Sequence, residues 1–413
     1  MTARPRIIFV NRFYWPDEPA TAQLLTDLAE GLADDGFAIT IITSRPSKSP
    51  LLETEIRRGV EIIRISGPRL GHRNALLKAL DFASFSLGAL RRISTLLKPH
   101  DILVVMTDPP LLGIPAIHLA RRRGARVIHW IQDVYPEIVS AVGGTRFAHV
   151  FRPLRDHAWR NADACVTLGS DMAAFVASRG VAPQRITLNP NWAPAGLIPL
   201  PPSAASDQRT YWGLTGKFVL LYSGNLGRVH DLAPVLAIAE ELRAETDIVF
   251  LFVGDGAQKP YLQATANERG LTNIKFQPAQ PRSLLGKILA LADLHLVTLR
   301  EGCEHFVFPS KLYGIAAVGR PVIFIGPKNC ELAHAVIYQS FGSAFTRDAI
   351  AAAAGAIRHL RHSPDRCSTM SSAAIQFNAR NGGLVHAIAT WTTLLNGLMP
   401  LANSAHTPPN TPR

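Results

Sequence analysis

The order strand, helix, strand between Ala292 and Ile325 constrains this chain more than any other stretch. Ala292–Leu299 (ADLHLVTL) spaces its apolar residues as a strand does, and Pro321–Ile325 (PVIFI) reads as a second strand. Between them Ser310–Val318 suits a short helix, which Ser310 can cap and Gly319 can end. A βαβ unit of this kind belongs to a parallel sheet, and open parallel sheets bind ligands at the carboxyl ends of their strands. The loop before the helix lies at such an end. Free N–H groups at a helix start attract anions, and Lys311 puts a cation beside them. A diphosphate fits there, and so does an ordinary turn with a solvated lysine.

The same alternation runs from the start of the chain. Arg6–Val10 reads as a buried strand, Asn11–Ala20 as a loop, Thr21–Asp35 as a helix and Phe37–Thr43 as the next strand. Leu24, Leu25, Leu28 and Leu32 share one face of that helix. Strands follow at Val60–Ile65, Asp101–Met106 and Arg126–Ile131, and Asn161–Leu168 is expected to close the sheet. The first loop lacks the GxGxxG pattern, which argues against a nicotinamide dehydrogenase. Asn189–Gln208 carries five prolines without periodicity and reads as a linker. A second α/β series begins after it, with strands at Lys217–Tyr222, Asp247–Val253 and Ile274–Gln277. The expected division is therefore a domain over 1–190, a linker over 191–208 and a domain over 209–385. A helix over 386–398 then returns toward the first domain, and a disordered tail covers 399–413. At 413 residues two such cores are the natural expectation.

Charge narrows the partners. The net charge is +12, which calls for an acidic partner such as nucleic acid, anionic lipid or a phosphorylated substrate. No nucleic-acid motif accompanies the charge, so nucleic acid is not expected. Arg69–Lys98 sets six cations against Asp81, interleaved with leucines and Phe82 and Phe85. A basic amphipathic helix suits an anionic membrane surface, and a core-facing helix with a solvated basic side suits the same pattern. The four cysteines are scattered, with no metal-ligand spacing and no disulfide framework. No apolar run reaches 18 residues, and the N-terminus does not read as a signal peptide, so the cytoplasm is the expected compartment.

Six stretches together resemble the glycosyltransferases of GT-B fold, family 4, and within them the WbuB-like and colanic-acid-type enzymes of bacterial surface polysaccharides. They are Phe9–Leu32, His129–Glu137 (HWIQDVYPE), Asn189–Trp192 (NPNW), Tyr222–Leu232 (YSGNLGRVHDL), Phe252–Gly256 (FVGDG) and Pro309–Gly326. The resemblance implies two Rossmann-like domains facing a cleft. It implies transfer of a sugar, with retention, from a UDP- or GDP-sugar to an undecaprenyl-diphosphate-linked saccharide. It also implies that no cofactor or metal takes part.

Site residues follow from the resemblance. Gly224, Asn225 and Arg228 fall on the glycine-bearing loop that meets the diphosphate, as do Ser310, Lys311 and Leu312 on the later loop and helix. Gly254 follows the second strand of that domain, and Phe276 and Gln277 fall where the base is held. The family's two glutamates fall on Phe306 and Gly314, neither acidic, so Glu301 or Glu304 is the expected substitute. The family's His-Asp pair falls on Gln132 and Asp133. Tyr14, Asp17, Glu18 and Gln132 are expected on the acceptor side, with Arg228, Lys311 and Asp133 at the reaction centre. A non-hydrolysing sugar-nucleotide 2-epimerase shares this fold, and a non-catalytic sugar-nucleotide binder is suggested by the missing glutamates and histidine.

Overall fold

The computed structural model describes residues 5–45, 51–67, 75–144, 146–381 and 383–399. Two parallel sheets follow one another along the chain. The first domain runs β1 (Arg6–Val10), α1 (Ala20–Asp34), β2 (Ala38–Ser44), β3 (Thr54–Arg57), β4 (Val60–Ile65), α2 (Ala75–Leu96) and β5 (Ile102–Met106). It continues with α3 (Gly113–Arg122), β6 (Arg126–Trp130), α4 (Glu137–Ala141), α5 (Arg152–Asn161), β7 (Ala164–Thr167), α6 (Ser170–Ser178) and β8 (Ile186–Leu188). Its strand order is β3-β4-β2-β1-β5-β6-β7-β8, parallel except for the β3–β4 pair. Asn161–Leu168 therefore does not close the sheet, because β8 pairs outside β7. Three residues at a sheet edge, partly exposed, give too short a pattern to announce a strand.

The second domain runs α7 (Ser206–Tyr211), β9 (Phe218–Ser223), α8 (Ala233–Glu241), β10 (Ile248–Val253), α9 (Lys259–Glu268), β11 (Ile274–Gln277) and α10 (Leu285–Ala290). After these come β12 (Leu294–Thr298), α11 (Lys311–Ala317), β13 (Val322–Ile325), α12 (Glu331–Tyr338), β14 (Gly342–Phe345), α13 (Ile350–Arg361) and α14 (Pro364–Arg380). All its strand neighbours are parallel, in the order β11-β10-β9-β12-β13-β14. Strand β10 shows why: all six of its residues (IVFLFV) are buried, as a strand covered by helices on both faces requires. The order reverses between β9 and β12, so the loops leaving these two strands flank the crevice where such sheets take ligands.

The chain then returns. α15 (Gly383–Leu398) inserts Ala387, Trp391 and Leu395 into the core of the first domain. Trp391 lies 5.2 Å from Trp130 and 5.8 Å from Phe9, ring centre to ring centre. A side chain at Gly31 of α1 would collide with Ile388, so glycine there lets the two helices meet. Met399 packs against the same core, so the tail is anchored at its first residue; the rest of the expected disordered segment lies outside the described residues. Full burial of Leu395 on the same face makes the returning helix part of the first domain's stability, since a leucine side chain contributes about 1.5–3 kcal/mol when buried.

The proline-rich linker is packed rather than loose. Asn189, Asn191 and Trp192 are buried, and Arg320 donates to the Leu200 carbonyl at 3.0 Å. A 3₁₀ turn over Pro202–Ala205 leads into α7. Further contacts tie the domains. Val134 N–H donates to the Phe306 carbonyl at 2.9 Å, and Phe306 meets Phe175 edge-on at 5.1 Å. The starts of α6 and α12 exchange carboxylates: Asp171 Oδ2 accepts from Glu331 N–H at 2.7 Å, and Glu331 Oε2 accepts from the Ser170 hydroxyl at 3.0 Å.

Candidate active site

A cleft of about 880 Å³ lies between the two sheets. Glu18, Gln132, Asp133, Gly224, Asn225, Arg228, Ser310, Lys311 and Gly314 all line it, so residues far apart in sequence face one space.

Lys311 is the central charge. Its stem is partly exposed, but Nζ is buried and finds no hydrogen-bond partner among the described residues. Nζ sits 3.4 Å from the centre of the Tyr222 ring. That quadrupole attracts the ammonium, but a ring is no substitute for a counter-anion. Burial pushes the Lys311 pKa well below that of a free lysine. Burial without a counter-anion disfavours the charged form of this amine, and an anion brought beside it would favour that form again.

The loop after β9 carries the second cation. Arg228 is exposed on this loop and lines the cleft. His230, nearly buried beside it, donates Nδ1–H to the Thr298 carbonyl at 2.8 Å. Burial, helped by nearby Lys311, lowers its pKa to about 3, so the ring is neutral and its other nitrogen can only accept.

The opposite wall is built differently. Gln132 and Asn191 exchange side-chain amide hydrogen bonds at 3.3 and 3.2 Å, both buried. Asp133 lies beside them, with its N–H donated to Thr107 Oγ1 at 3.1 Å. Burial, and then the Asp108 carboxylate, raise the Asp133 pKa to about 7. Asp27 also lines the cleft, accepting from Trp192 Nε1 at 3.4 Å; burial raises its pKa. Asp27 stood hidden in the sequence because it sits in a leucine-rich helix. Asn191 lay within the NPNW stretch but had no role assigned to it.

Several expected contacts fall elsewhere. Tyr14 is wholly buried in the first core, and Asp17 accepts from the Tyr14 N–H at 3.4 Å, shaping the turn; neither lines the cleft. Leu312 is wholly buried on the core side of α11, where a leucine gains most. Ser310 forms no side-chain cap bond, because its own backbone is already helical. Phe276 stacks on Phe252 at 5.2 Å, and Gln277 spends its carbonyl on Gly254 N–H; both lie outside the lining. Gly254 lies behind the first loop, where a side chain would stand 2.1 Å from the Gly224 carbonyl oxygen. Glu304 has a buried Oε2 without a partner but does not reach the cleft, and Glu301 lines a separate cavity of about 460 Å³. The two positions where the family's glutamates fall are apolar in surroundings as well as in identity. Phe306 packs across the domain seam, and a side chain at Gly314 would meet Leu289 and Leu197.

Comparison with known proteins agrees with this geometry. Residues 21–192 match the glycosyl transferase 4-like domain, and residues 207–377 match the glycosyl transferases group 1. A protein of Escherichia coli K12 named as a colanic acid biosynthesis glycosyl transferase, WcaI, is 28% identical over 345 residues, covering 79% of this chain and 84% of its own. A protein of Pseudomonas aeruginosa named as a glycosyltransferase, WbjE, is 26% identical over 242 residues, covering 57% of this chain and 60% of its own. Among solved structures, Anabaena HepE in complex with UDP-glucose superposes with a TM-score of 0.73 at 15% identity, covering 95% of this chain and 99% of that one. The lipopolysaccharide glycosyltransferase WaaG gives 0.67 at 16% identity, covering 95% and 100%. Two Rossmann-like domains closing on a cleft, shared with these neighbours, define the GT-B architecture. The chain belongs to the GT-B glycosyltransferases of family 4.

Proposed function

We propose that this enzyme transfers a sugar, with retention, from a UDP-sugar to a lipid-linked saccharide during synthesis of a bacterial surface polysaccharide. One observation carries the donor assignment: the Lys311 amine is buried without a hydrogen-bond partner among the described residues, beside a cleft that Arg228 also lines. A diphosphate supplies the missing charge. UDP in preference to GDP rests on HepE, whose structures hold UDP and UDP-glucose. The polysaccharide assignment rests on the relative named for colanic acid biosynthesis.

In the reaction, the bond from the anomeric carbon to the diphosphate oxygen breaks as charge builds on that oxygen. Lys311 and Arg228 stabilise the charge, and we infer that they do so without a metal. The acceptor hydroxyl attacks from the same face, and its proton passes to the departing phosphate. This front-side course uses no protein nucleophile, so it does not call for the two carboxylates that glycosidases place across a sugar ring. Asp133 receives the acceptor hydroxyl as a hydrogen-bond partner.

The acceptor's lipid calls for a membrane surface, at the cytoplasmic face. α2 buries Phe85, Ala89 and Ile93 in the core while leaving Leu80 and Leu87 55% and 70% exposed, with Arg91 and Arg92 exposed beside them. Of the basic stretch, Arg69 and Arg73 lie outside the described residues. Arg92 already has a partner in Glu53, so Arg91 and the two leucines carry the docking reading. Among the described residues no helix is long and apolar enough to cross a membrane.

The test is a transfer assay with UDP-glucose, UDP-galactose and UDP-N-acetylglucosamine, using lipid extract as acceptor in the presence of EDTA. A new α-glycoside from an α-donor, read by proton NMR, supports the proposal. An epimerised donor without a glycoside, or a β-glycoside, contradicts it.

A further inference from the structure

The loop between β9 and α8 has an unusual hydrogen-bond pattern. Six consecutive carbonyls are all tied back. Asn225 O accepts from the Tyr222 hydroxyl at 2.9 Å, and Leu226 O from Gln258 N–H at 3.1 Å. The Gln258 side-chain amide donates to Gly227 O at 2.6 Å and to His230 O at 2.7 Å. Arg300 donates Nε–H to Arg228 O at 2.9 Å and its backbone N–H to Val229 O at 2.8 Å. The N–H groups behave in the opposite way. Those of Asn225, Gly227, Arg228 and Val229 donate to no acceptor among the described residues, and all four residues line the cleft. Two N–H groups are exceptions: that of Leu226, which does not line the cleft, goes to the Asp255 carbonyl at 2.8 Å, and that of His230 goes to the Gly227 carbonyl at 3.1 Å. Gly256 permits this packing, since a side chain there would stand 2.6 Å from Leu226 backbone atoms.

We propose that Gln258 and Arg300, neither of which lines the cleft, are positioning residues that turn the carbonyls of 227–230 away and so present the loop's free amides to a diphosphate. The inference rests on the donor reading above. A backbone segment with free amides on one side is an anion cradle only if its carbonyls are held on the other. If the carbonyls were released, the peptide units could rotate and set their negative ends toward the phosphates. Gln258 suits the task because one NH₂ group carries two donors for two carbonyls. Glutamate has the same length and has none.

The test separates this role from general stability. UDP and uridine are titrated into the wild-type protein, Gln258→Leu, Gln258→Glu, Arg300→Met and Lys311→Ala, with thermal unfolding of each alongside. Uridine shares the base and ribose but lacks the diphosphate. The account expects UDP affinity to fall about tenfold or more in Gln258→Leu and further in Gln258→Glu, with uridine affinity unchanged, as loss of hydrogen bonds to a charged group implies. Arg300→Met reports on the same loop through a different element and should show the same split. UDP affinity unchanged in both Gln258→Leu and Arg300→Met while Lys311→Ala weakens it overturns the inference and leaves the donor reading standing. Equal loss of UDP and uridine in both variants also overturns it, assigning a structural role only. A wild-type protein that binds no UDP, with GDP and guanosine as the parallel pair also silent, sinks the donor reading itself.

Discussion

The two walls of the cleft come from two copies of the same fold, yet their chemistry is opposite. The second-domain wall carries Arg228, Lys311 and a neutral His230, and no carboxylate among the described residues. The first-domain wall carries Glu18, Asp27 and Asp133, and no lysine, arginine or histidine among the described residues. Nothing in the sheet topology requires this. The fold supplies loops at the carboxyl ends of strands, and the residues on those loops decide what each wall attracts. On the proposal above, the anionic diphosphate sits against the cationic wall, and the hydroxyl-rich acceptor against the wall of carboxylates and amides. On the same proposal, the contrast would keep the two substrates from exchanging places.

Breaking the cationic wall has the largest expected effect. Lys311→Ala should lower turnover by about 10²–10³-fold, the usual loss when one contact to developing charge is removed from a site shielded from water. A steady-state assay at saturating donor checks this, and a drop below threefold counts against Lys311 as the charge partner. The same residue predicts a proton signature. Because burial depresses its pKa, an arriving anion should raise it again, so UDP binding takes up protons and weakens as pH rises. Calorimetry in buffers of different ionisation enthalpy reads the uptake; none in the wild type, or the same in Lys311→Ala, refutes it.

Breaking the amide pair on the other wall comes next. Gln132→Leu leaves a buried Asn191 amide unpaired and should cost about 1–3 kcal/mol of stability, while the double change to leucine at 132 and 191 should cost less than the two singles summed. Urea unfolding of the four proteins measures the coupling. UDP affinity should stay within twofold of the wild type, because this wall is not the donor wall.

Asp133 gives a pH test of the carboxylate wall. Its pKa is raised from the ordinary carboxyl value of 3.8 to about 7. The folded state then holds a proton that the unfolded state has released. Its contribution is therefore fully present below about 4 and is lost as pH rises through 7. Asp133→Asn should remove that slope, so that the mutant gains stability relative to the wild type from pH 4 to 8. A constant difference in unfolding midpoints over this range contradicts the raised pKa. The smallest effect is expected at the seam: Phe306→Leu loses an edge-on contact with Phe175 that contributes about 0.5–1.5 kcal/mol.

Much of the fold was legible, for a physical reason. Buried parallel strands write mostly apolar runs, so β1 and β4 fall where the sequence puts them to the residue, and β11, a half-buried edge strand, does so through the alternation of IKFQ. β3 and β8 escaped because edge strands need no such run: TEIR alternates exposed and half-buried positions, and ITL is three residues long. α5 escaped because RPLRDHAWRN buries only Arg155, Ala158 and Trp159, and Arg155 reads as a surface residue until its bonds to Glu137 at 2.8 Å are seen.

Part of the cleft lining was legible from loop position and charge, at Lys311, Arg228 and Asp133. Tyr14 and Leu312 misled because a residue beside a binding loop can face either way, and both face the core. Asn191, Asp27, Gln258 and Arg300 were not legible at all. Each acts through a partner distant in sequence: Asn191 through Gln132, Asp27 through Trp192, and Gln258 and Arg300 through the carbonyls of 227–230. Periodicity and short motifs carry no trace of such pairings.

The most direct test of the contrast between the walls is isothermal titration of UDP into the wild-type protein, Lys311→Ala and Asp133→Asn. The account predicts that the wild type binds, Lys311→Ala binds at least about tenfold more weakly, and Asp133→Asn binds as the wild type does. Binding that survives in Lys311→Ala and fails in Asp133→Asn would place the diphosphate on the wrong wall and contradict it.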